Sequence, residues 1–220
     1  MVGNKRAFWQ ALVFTIIIFG LGLIFGYFIE SSRSDAAEVS LLKSEVNFLD
    51  EQLRGIIIEN YNLSCDLATK STFTFADRIY QEALKLEKYD SVSKFSRDTL
   101  HVLHQRYDIL RMMLWTESQR VQERCGKFHI VIYFFAYDPQ EVDIRAKQSF
   151  FSRLLMDTKN KNGDAILLIP IAANLDLASI ELATINNNVT QIPSILIDSR
   201  KVVDKVVTFD ELEKIIFEKK

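Results

Sequence analysis

The chain has 220 residues, of which 48% are hydrophobic and 25% charged, with a net charge of -2. That length accommodates one ordinary domain with additions, or two small ones. A near-neutral balance without Lys or Arg clusters leaves no basic field to hold nucleic acid, so no nucleic-acid partner is expected. Only 7 Gly and 3 Pro are present, which excludes low-complexity linkers and a loop-rich small secreted fold.

From Ala7 to Ile29 the sequence carries no charged residue, and Trp9 and Tyr27 stand near its two ends. A run of about 23 apolar residues spans the hydrocarbon core of a bilayer with modest tilt, because a helix rises about 1.5 Å per residue. The two aromatics fall where an interfacial belt would lie. A cleaved signal peptide is the competing reading, since Lys5 and Arg6 resemble its basic end. Its apolar stretch would be about 7–15 residues long and would end at small residues, whereas here the run continues to Tyr27-Phe28-Ile29. A signal-anchor, a transmembrane helix that stays in the bilayer, is therefore expected. Gly22 and Gly26 form a small-xxx-small pair and are read as lipid-facing or neutral. Lys5 and Arg6 precede the span without an acid, and Glu30, Arg33, Asp35 and Glu38 follow it. Positive flanks stay in the cytoplasm, which places the N-terminus there and the rest of the chain outside.

From Val39 the residues Val39, Leu42, Val46, Leu49, Leu53, Ile56, Asn60, Leu63 and Leu67 alternate in steps of three and four. This is the seam of a coiled-coil heptad, with Asn60 at an a position, where an amide fixes register. Glu45 at g and Asp50 at e set like charges against each other in a parallel dimer, and Ile57 and Ile58 widen the stripe beyond a two-stranded seam. Packing against helices of the same chain accounts for both features. Thr74 with Asp77 resembles a helix start, followed at helical spacing by Phe75, Ile79, Ala83 and Leu86. Beyond the polar pair Asp90-Ser91 a third pattern takes in Leu100, Leu103, Tyr107, Leu110, Leu114 and Val121. Short connections make such helices antiparallel neighbours in an up-down-up unit. His101 and His104 lie three apart, but no Cys or carboxylate completes a metal-ligand set, and no metal is expected.

The two cysteines, Cys65 and Cys125, end the first and third helical patterns. Outside the cytoplasm a lone pair is normally oxidised, and a disulfide closing a loop of about 60 residues stabilises by about 4 kcal/mol in the chain-entropy account. A short middle helix leaves the two ends about 20 Å apart, so the bridge requires a kink or an early helix end to bring the Cα atoms within about 7 Å. Two buried free thiols are the alternative.

His129 to Tyr137 is rich in Ile, Val, Tyr and Phe and reads as a strand buried on both faces. A helix over about Val142 to Asp157 follows; Asn162-Gly163-Asp164 turns the chain into a strand from Ala165 to Ile171, and Leu175 to Ile185 gives another helix. Val189-Thr190-Gln191-Ile192-Pro193-Ser194 then leads into Ile195-Leu196-Ile197, a second hairpin strand near Val202, and an amphipathic helix from Thr208 to Phe217. The order is β-α-β-α-β-β-α.

That order resembles the thioredoxin fold over residues 128–220. Phe134-Phe135-Ala136 is similar to the aromatic strand end before the family's redox motif, Asn174-Leu175-Asp176 to the turn after the second strand, and Ile192-Pro193 to the residue pair of its cis-proline loop. Where the family carries Cys-x-x-Cys, this chain reads Asp138-Pro139-Gln140-Glu141-Val142, without a thiol. Disulfide exchange requires a thiolate, so the resemblance implies the fold without its redox chemistry. The Ile192-Pro193 loop then either keeps an edge available for an extended peptide, a mode that uses backbone hydrogen bonds, or serves only to shape the chain. No nucleophile-base pair, phosphate loop or metal cluster suggests another enzyme, and no cofactor is expected. Two sequons, Asn62-Leu63-Ser64 and Asn188-Val189-Thr190, would be open to glycosylation outside the cell.

The sequence reading is thus an α/β thioredoxin-like domain at residues 127–220, preceded by an all-α, coiled-coil-like helical region at 31–126 and a cytoplasmic tip with a transmembrane helix at 1–30. The expected function is presentation of a redox-inactive domain to a protein partner from a lipid bilayer. One alternative is self-assembly into a homo-oligomer through the helical region; another is a thiol oxidoreductase using Cys65 and Cys125.

Overall fold

A computed structural model describes residues 3–91 and 97–218. The chain divides into two compact units, Met1–Glu51 and Gln52–Lys220. The first unit is helical and belongs to α1, Gly3–Asn60. Within it, Phe8–Tyr27 is long and apolar enough to cross a membrane, with a mean hydropathy of 2.3 and none of its length buried. Trp9 and Tyr27 are 63% and 75% exposed.

In the second unit, α1 ends at Asn60, whose side-chain Nδ2 donates to the Ile56 carbonyl at 2.9 Å. The chain breaks over Tyr61–Ser64, and α2 runs Cys65–Ser91. Ser64 starts α2: its Oγ accepts from Leu67 N at 3.4 Å and its carbonyl from Ala68 N at 2.9 Å, meeting donors that every helix start leaves open. Thr74 is therefore no helix start. It sits inside α2, and its hydroxyl donates to the Lys70 carbonyl at 2.9 Å. The heptad had hidden this break, because Leu63 and Leu67 keep step across it.

α3 runs Arg97–Cys125 and lies antiparallel to α2. Tyr107 OH donates to the Ile79 carbonyl at 2.9 Å, and farther along Thr72 Oγ1 donates to Glu117 Oε1 at 3.1 Å. Phe75, Ile79 and Leu86 of α2 are buried, as are Tyr107, Leu110, Leu114 and Val121 of α3, as their spacing predicts. The last turns of α1 join this pair through Arg54, which reaches Ser71 at 3.2 Å and Glu117 at 2.8 and 2.6 Å. Its guanidinium also lies 4.2 Å from the centre of the Phe75 ring.

The apolar seam does not pack in this way. Val46, Leu49, Leu53 and Ile56 are 63%, 54%, 54% and 52% exposed, whereas Ile58 is buried at 4%. Within the second unit, the expectation that the seam faces helices of the same chain fails at Leu53 and Ile56, because it is the side bearing Arg54 and Ile58 that turns inward. The side chains of Val39 and Leu42 lie outside those described.

The remaining elements are β1 His129–Phe135, α4 Val142–Asn162, β2 Ile166–Ala172, α5 Ala178–Asn186, β3 Ser194–Ile197, β4 Lys201–Val203 and α6 Phe209–Phe217. The four strands form one mixed sheet in the order β2-β1-β3-β4. β1 is parallel to β2, with Val131 opposite Leu168, and antiparallel to β3, with Phe134 opposite Ser194. β3 and β4 make a hairpin whose turn residues Asp198 and Ser199 both have positive φ, 50° and 54°. With Arg200 they make a three-residue connection between Ile197 and Lys201, closed by Arg200 N donating to the Ile197 carbonyl at 3.0 Å.

Alternate residues face opposite ways along a strand. Val131, Tyr133, Ile195, Ile197 and Val203 enter a core with Phe151, Leu154 and Leu155 of α4 and Leu212 and Ile216 of α6. Ile130, Ile132 and Phe134 point to the other side and are buried as well, at 0–1%. There Trp115 of α3 packs edge-on against Phe134, with ring centres 5.8 Å apart. A strand covered on both sides needs no polar alternation, which is why β1 reads as a continuous apolar run. The helical part of the sequence thus supplies the cover for one sheet face, and this happens inside the second unit.

α4 continues past the expected Asp157. Lys159 Nζ donates to the carbonyls of Gly163 and Ile166 at 2.8 and 2.9 Å, satisfying groups beyond the helix end. α6 opens on a capping box: Thr208 Oγ1 accepts from Glu211 N, and Glu211 returns a carboxylate oxygen to Thr208 N at 2.8 Å. A helical region followed by a mixed four-stranded sheet flanked by helices is compatible with a thioredoxin-like fold.

Candidate functional site

The strand register places the two segments picked out by sequence side by side. Phe134 opposes Ser194, so one step further along the ladder Pro193 lies level with Phe135, at the head of the loop that leads into α4. The Ile192-Pro193 peptide bond is cis. Pro193 is buried, Ile192 half-buried, and Thr190 and Gln191 are exposed.

The loop after β1 is held by two amide side chains, each gripping one peptide unit from both sides. Gln148 of α4 accepts from Ala136 N at 2.9 Å and donates to Ala136 O at 3.2 Å. Asn174, in the turn after β2, accepts from Tyr137 N at 2.6 Å and donates to Tyr137 O at 2.9 Å. With these four bonds the loop backbone is satisfied without strand partners. Asp138 takes a positive φ of 46°, a conformation that Asp tolerates better than most residues. Asp138, Gln140 and Glu141 are exposed, and Val142 is 68% exposed. This loop presents carboxylates, an amide and backbone, and residues 138–142 include no cysteine.

α3 borders the same end. The His104 ring lies 4.2 Å from that of Tyr137, and Gln105 Nε2 donates to the Leu175 carbonyl at 2.8 Å. Asp108, 1% exposed, accepts from Ala172 N at 3.1 Å and from Arg111 at 2.8 Å. Burial pushes the Asp108 carboxyl up from its usual range, although the Arg111 charge and the hydrogen bonds pull it down.

Cys65 and Cys125 form a disulfide, with Cα atoms 5.5 Å apart. Of the two expected devices, a kink or an early helix end, the second is present: α1 ends at Asn60, before Cys65. Cys65 opens α2 and Cys125 closes α3, and these are neighbouring ends of an antiparallel pair of nearly equal length. The bridge therefore ties off the helical hairpin and stands apart from the loop after β1 in the sequence. Lys127 pairs with Asp66 beside it, and holds the Asp66 carboxyl below its usual range.

A second cluster, at the opposite end of β1, escaped the sequence reading. Asp198, in the hairpin turn, accepts from Gln122 Nε2 at 2.6 Å and Ile130 N at 2.8 Å, and its other oxygen meets His129 Nδ1 at 2.7 Å. The adjacent cavity, of about 710 Å³, is lined by His129, Asp198, Arg200, Lys201 and Phe217. Both Asp198 oxygens are taken up by α3 and β1, and Lys201 pairs with Glu218 at 2.6 Å. Asp198 thereby ties the hairpin turn to α3 and β1. The signal available for Asp198 was local: Ile-Asp-Ser-Arg between two β-rich runs is a tight-turn sequence. Both sequon asparagines, Asn62 and Asn188, are exposed.

No family model matches the chain, and no curated protein matches it in sequence. Among solved structures, thioredoxin O2 from Arabidopsis thaliana in the oxidized state is similar to it at 17% identity and a TM-score of 0.32, over 47% of this chain and 85% of that one. So weak a likeness carries no weight on function.

Proposed function

We propose that this chain is a single-pass membrane protein that presents a redox-inactive, thioredoxin-like domain outside the cytoplasm, where it docks a protein partner. The observation that carries the reading is the separation of thiols from the thioredoxin-like loop pair. Both cysteines are used to tie α2 to α3, and the loop beside Pro193 is built from amide clamps on the backbone. Exchange chemistry needs a thiolate next to the bound disulfide, whereas recognition of an extended segment needs only a fixed backbone edge and neighbouring side-chain pockets. A domain with this layout binds and does not turn over. The anchor is Phe8–Tyr27, and the basic flank at Lys5 and Arg6 keeps the N-terminus in the cytoplasm.

Two assays test this reading. Purified full-length protein should show no disulfide reductase activity toward insulin in the presence of a dithiol donor, either as wild type or as a Cys65→Ser, Cys125→Ser double variant. A photoreactive residue at Gln191 in native membranes should form a discrete protein adduct that the same residue at exposed Lys205 does not form. Activity in the double variant contradicts the redox part; identical adducts at both positions contradict the docking part.

A second reading, self-assembly through the helical region, is favoured by one observation: Leu53 and Ile56 are more than half exposed. The thiol oxidoreductase reading would have to use the Cys65–Cys125 pair at the ends of α2 and α3, apart in the sequence from the loop beside Pro193.

A further inference from the structure

We infer that Asn62 is a site of N-linked glycosylation, taking an oligosaccharide from a lipid diphosphate carrier on the outer side of the membrane. The inference goes beyond docking and rests on the proposed extracytoplasmic placement of the domain.

The acceptor signature is Asn-x-Ser/Thr with x other than Pro, and the chain carries it at Asn62-Leu63-Ser64 and Asn188-Val189-Thr190. Transfer joins Asn62 Nδ2 to the anomeric carbon of the first sugar. The bond from that carbon to the diphosphate breaks, the lipid diphosphate leaves with the electron pair, and the amide nitrogen gives up one proton to the transferase. Such a step requires a carboxamide in solvent, on a surface loop, with the hydroxyl two residues on also within reach.

Asn62 meets each requirement within the second unit. It lies in the irregular stretch between α1 and α2, and both Asn62 and Ser64 are exposed. Leu63 N donates to the Tyr61 carbonyl at 2.8 Å, closing a three-residue turn with Asn62 at its middle. Among the described residues, no hydrogen bond engages the Asn62 carboxamide, whereas that of Asn60 is tied to the Ile56 carbonyl. Ser64 Oγ accepts from Leu67 N at 3.4 Å, which uses a lone pair and leaves the hydroxyl hydrogen to donate. Ser64 thus has a structural task at the start of α2; the Asn62 side chain has none among the described residues.

Asn188 differs. Its N–H donates to the Ile185 carbonyl at 3.1 Å, the Val189 N–H donates to the Thr184 carbonyl at 2.9 Å, and its φ is 54°. Two such bonds around a left-handed residue close α5 in the Schellman arrangement, where Gly or Asn stands. The asparagine at 188 therefore has a backbone reason of its own. A glycan there would also sit just before Gln191 and Pro193, over the loop to which docking is assigned. Asn62 instead comes just before Cys65, whose partner Cys125 ends α3 ahead of the start of β1. The docking loop follows the other end of β1, so a glycan on Asn62 leaves it open.

The test uses the full-length chain isolated from its native membranes, as wild type and as Asn62→Gln, Ser64→Thr, Ser64→Asp and Asn188→Gln. Peptide mass spectrometry should find carbohydrate on Asn62 in wild type, Ser64→Thr and Asn188→Gln, and should find it lost from this sequon in Asn62→Gln and Ser64→Asp. Asp at position 64 still caps α2 but lacks the hydroxyl, so the loss in that variant reads recognition and not folding. A bare Asn62 in wild type, sugar on Asn188 alone, or sugar retained in Ser64→Asp overturns the inference. Labelling of Cys65 and Cys125 from outside intact cells, after an impermeant reductant, reads the placement separately. Bare Asn62 with both cysteines reached from outside leaves the proposed placement standing; bare Asn62 with cysteines that cannot be reached refutes both.

Discussion

Arg54 and Glu117 meet in a two-pronged ion pair, Nη1 to Oε1 at 2.8 Å and Nη2 to Oε2 at 2.6 Å, that fastens the last turns of α1 to α3. The side chains are 18% and 6% exposed. Breaking such a pair leaves a charge stranded in a poorly solvated place, at a cost of about 3 kcal/mol or more. Arg54→Ala should therefore lower the unfolding free energy by an amount of that order, read as a lower urea midpoint at unchanged slope. Its neighbour should behave in the opposite way. A Cβ added at Gly55 meets Glu117 Oε2 at 3.7 Å, an ordinary contact, so Gly55→Ala should stabilise by about 0.5–1 kcal/mol through helix propensity. The same denaturation series measures both.

The disulfide closes a long loop at the open end of the α2–α3 hairpin. Its sequence separation of 60 corresponds to about 4 kcal/mol of chain entropy removed from the unfolded state. Reduction, or Cys65→Ser with Cys125→Ser, should lower stability by roughly that amount. Non-reducing against reducing calorimetry of the wild type reads the first, and an unchanged melting temperature would show that the bridge bears no load.

Burial pushes the Tyr133 phenol up to about 12, and its hydroxyl donates to the Gln148 carbonyl at 3.1 Å. A folded-state pKa above the unfolded value means that the contribution is complete below the ordinary phenol value of about 10 and declines as pH rises toward the folded value. Phenolate absorbance should show a tyrosine titrating near 12 that is missing in Tyr133→Phe, and the variant should lose less stability than wild type as the pH is raised beyond about 10.

Asp108 makes a contrasting pair of substitutions informative. Burial raises its carboxyl pKa, so its contribution is greatest below 3.8 and falls as pH rises above that. Asp108→Asn still accepts from Ala172 N and has no charge to bury, and its stability should decline less than that of wild type from pH 4 upward. Asp108→Ala removes the acceptor from a buried N–H and should cost about 1–3 kcal/mol. Denaturation midpoints across pH separate the two.

What was legible in the sequence was whatever has a local period or composition. The Phe8–Tyr27 run, the buried strand His129–Phe135, the amphipathic α6 and the Ile192-Pro193 pair each announce themselves within about ten residues. The start of α2 did not, because a heptad frame carried Leu63 and Leu67 across a real helix break and made Asn60 look like a seam residue when it closes a helix. That slip made the disulfide look sterically difficult. The clamps of Gln148 and Asn174 on the loop, and the bonds that gather Gln122, His129 and Ile130 on Asp198, are long-range contacts; local sequence marks the turns at Asn174 and Asp198 and not their partners. Exposure of Leu53 and Ile56 was likewise invisible, since periodicity shows that a face is apolar and not what lies against it.

The proposed function places the cysteine-bridged domain outside the membrane on an N-terminal anchor. Its most direct test is labelling of intact cells with a membrane-impermeant maleimide, before and after an impermeant reductant. No labelling of the chain is expected before reduction, and labelling of both Cys65 and Cys125 after it. Labelling without reductant, or only after the membrane is permeabilised, would contradict it.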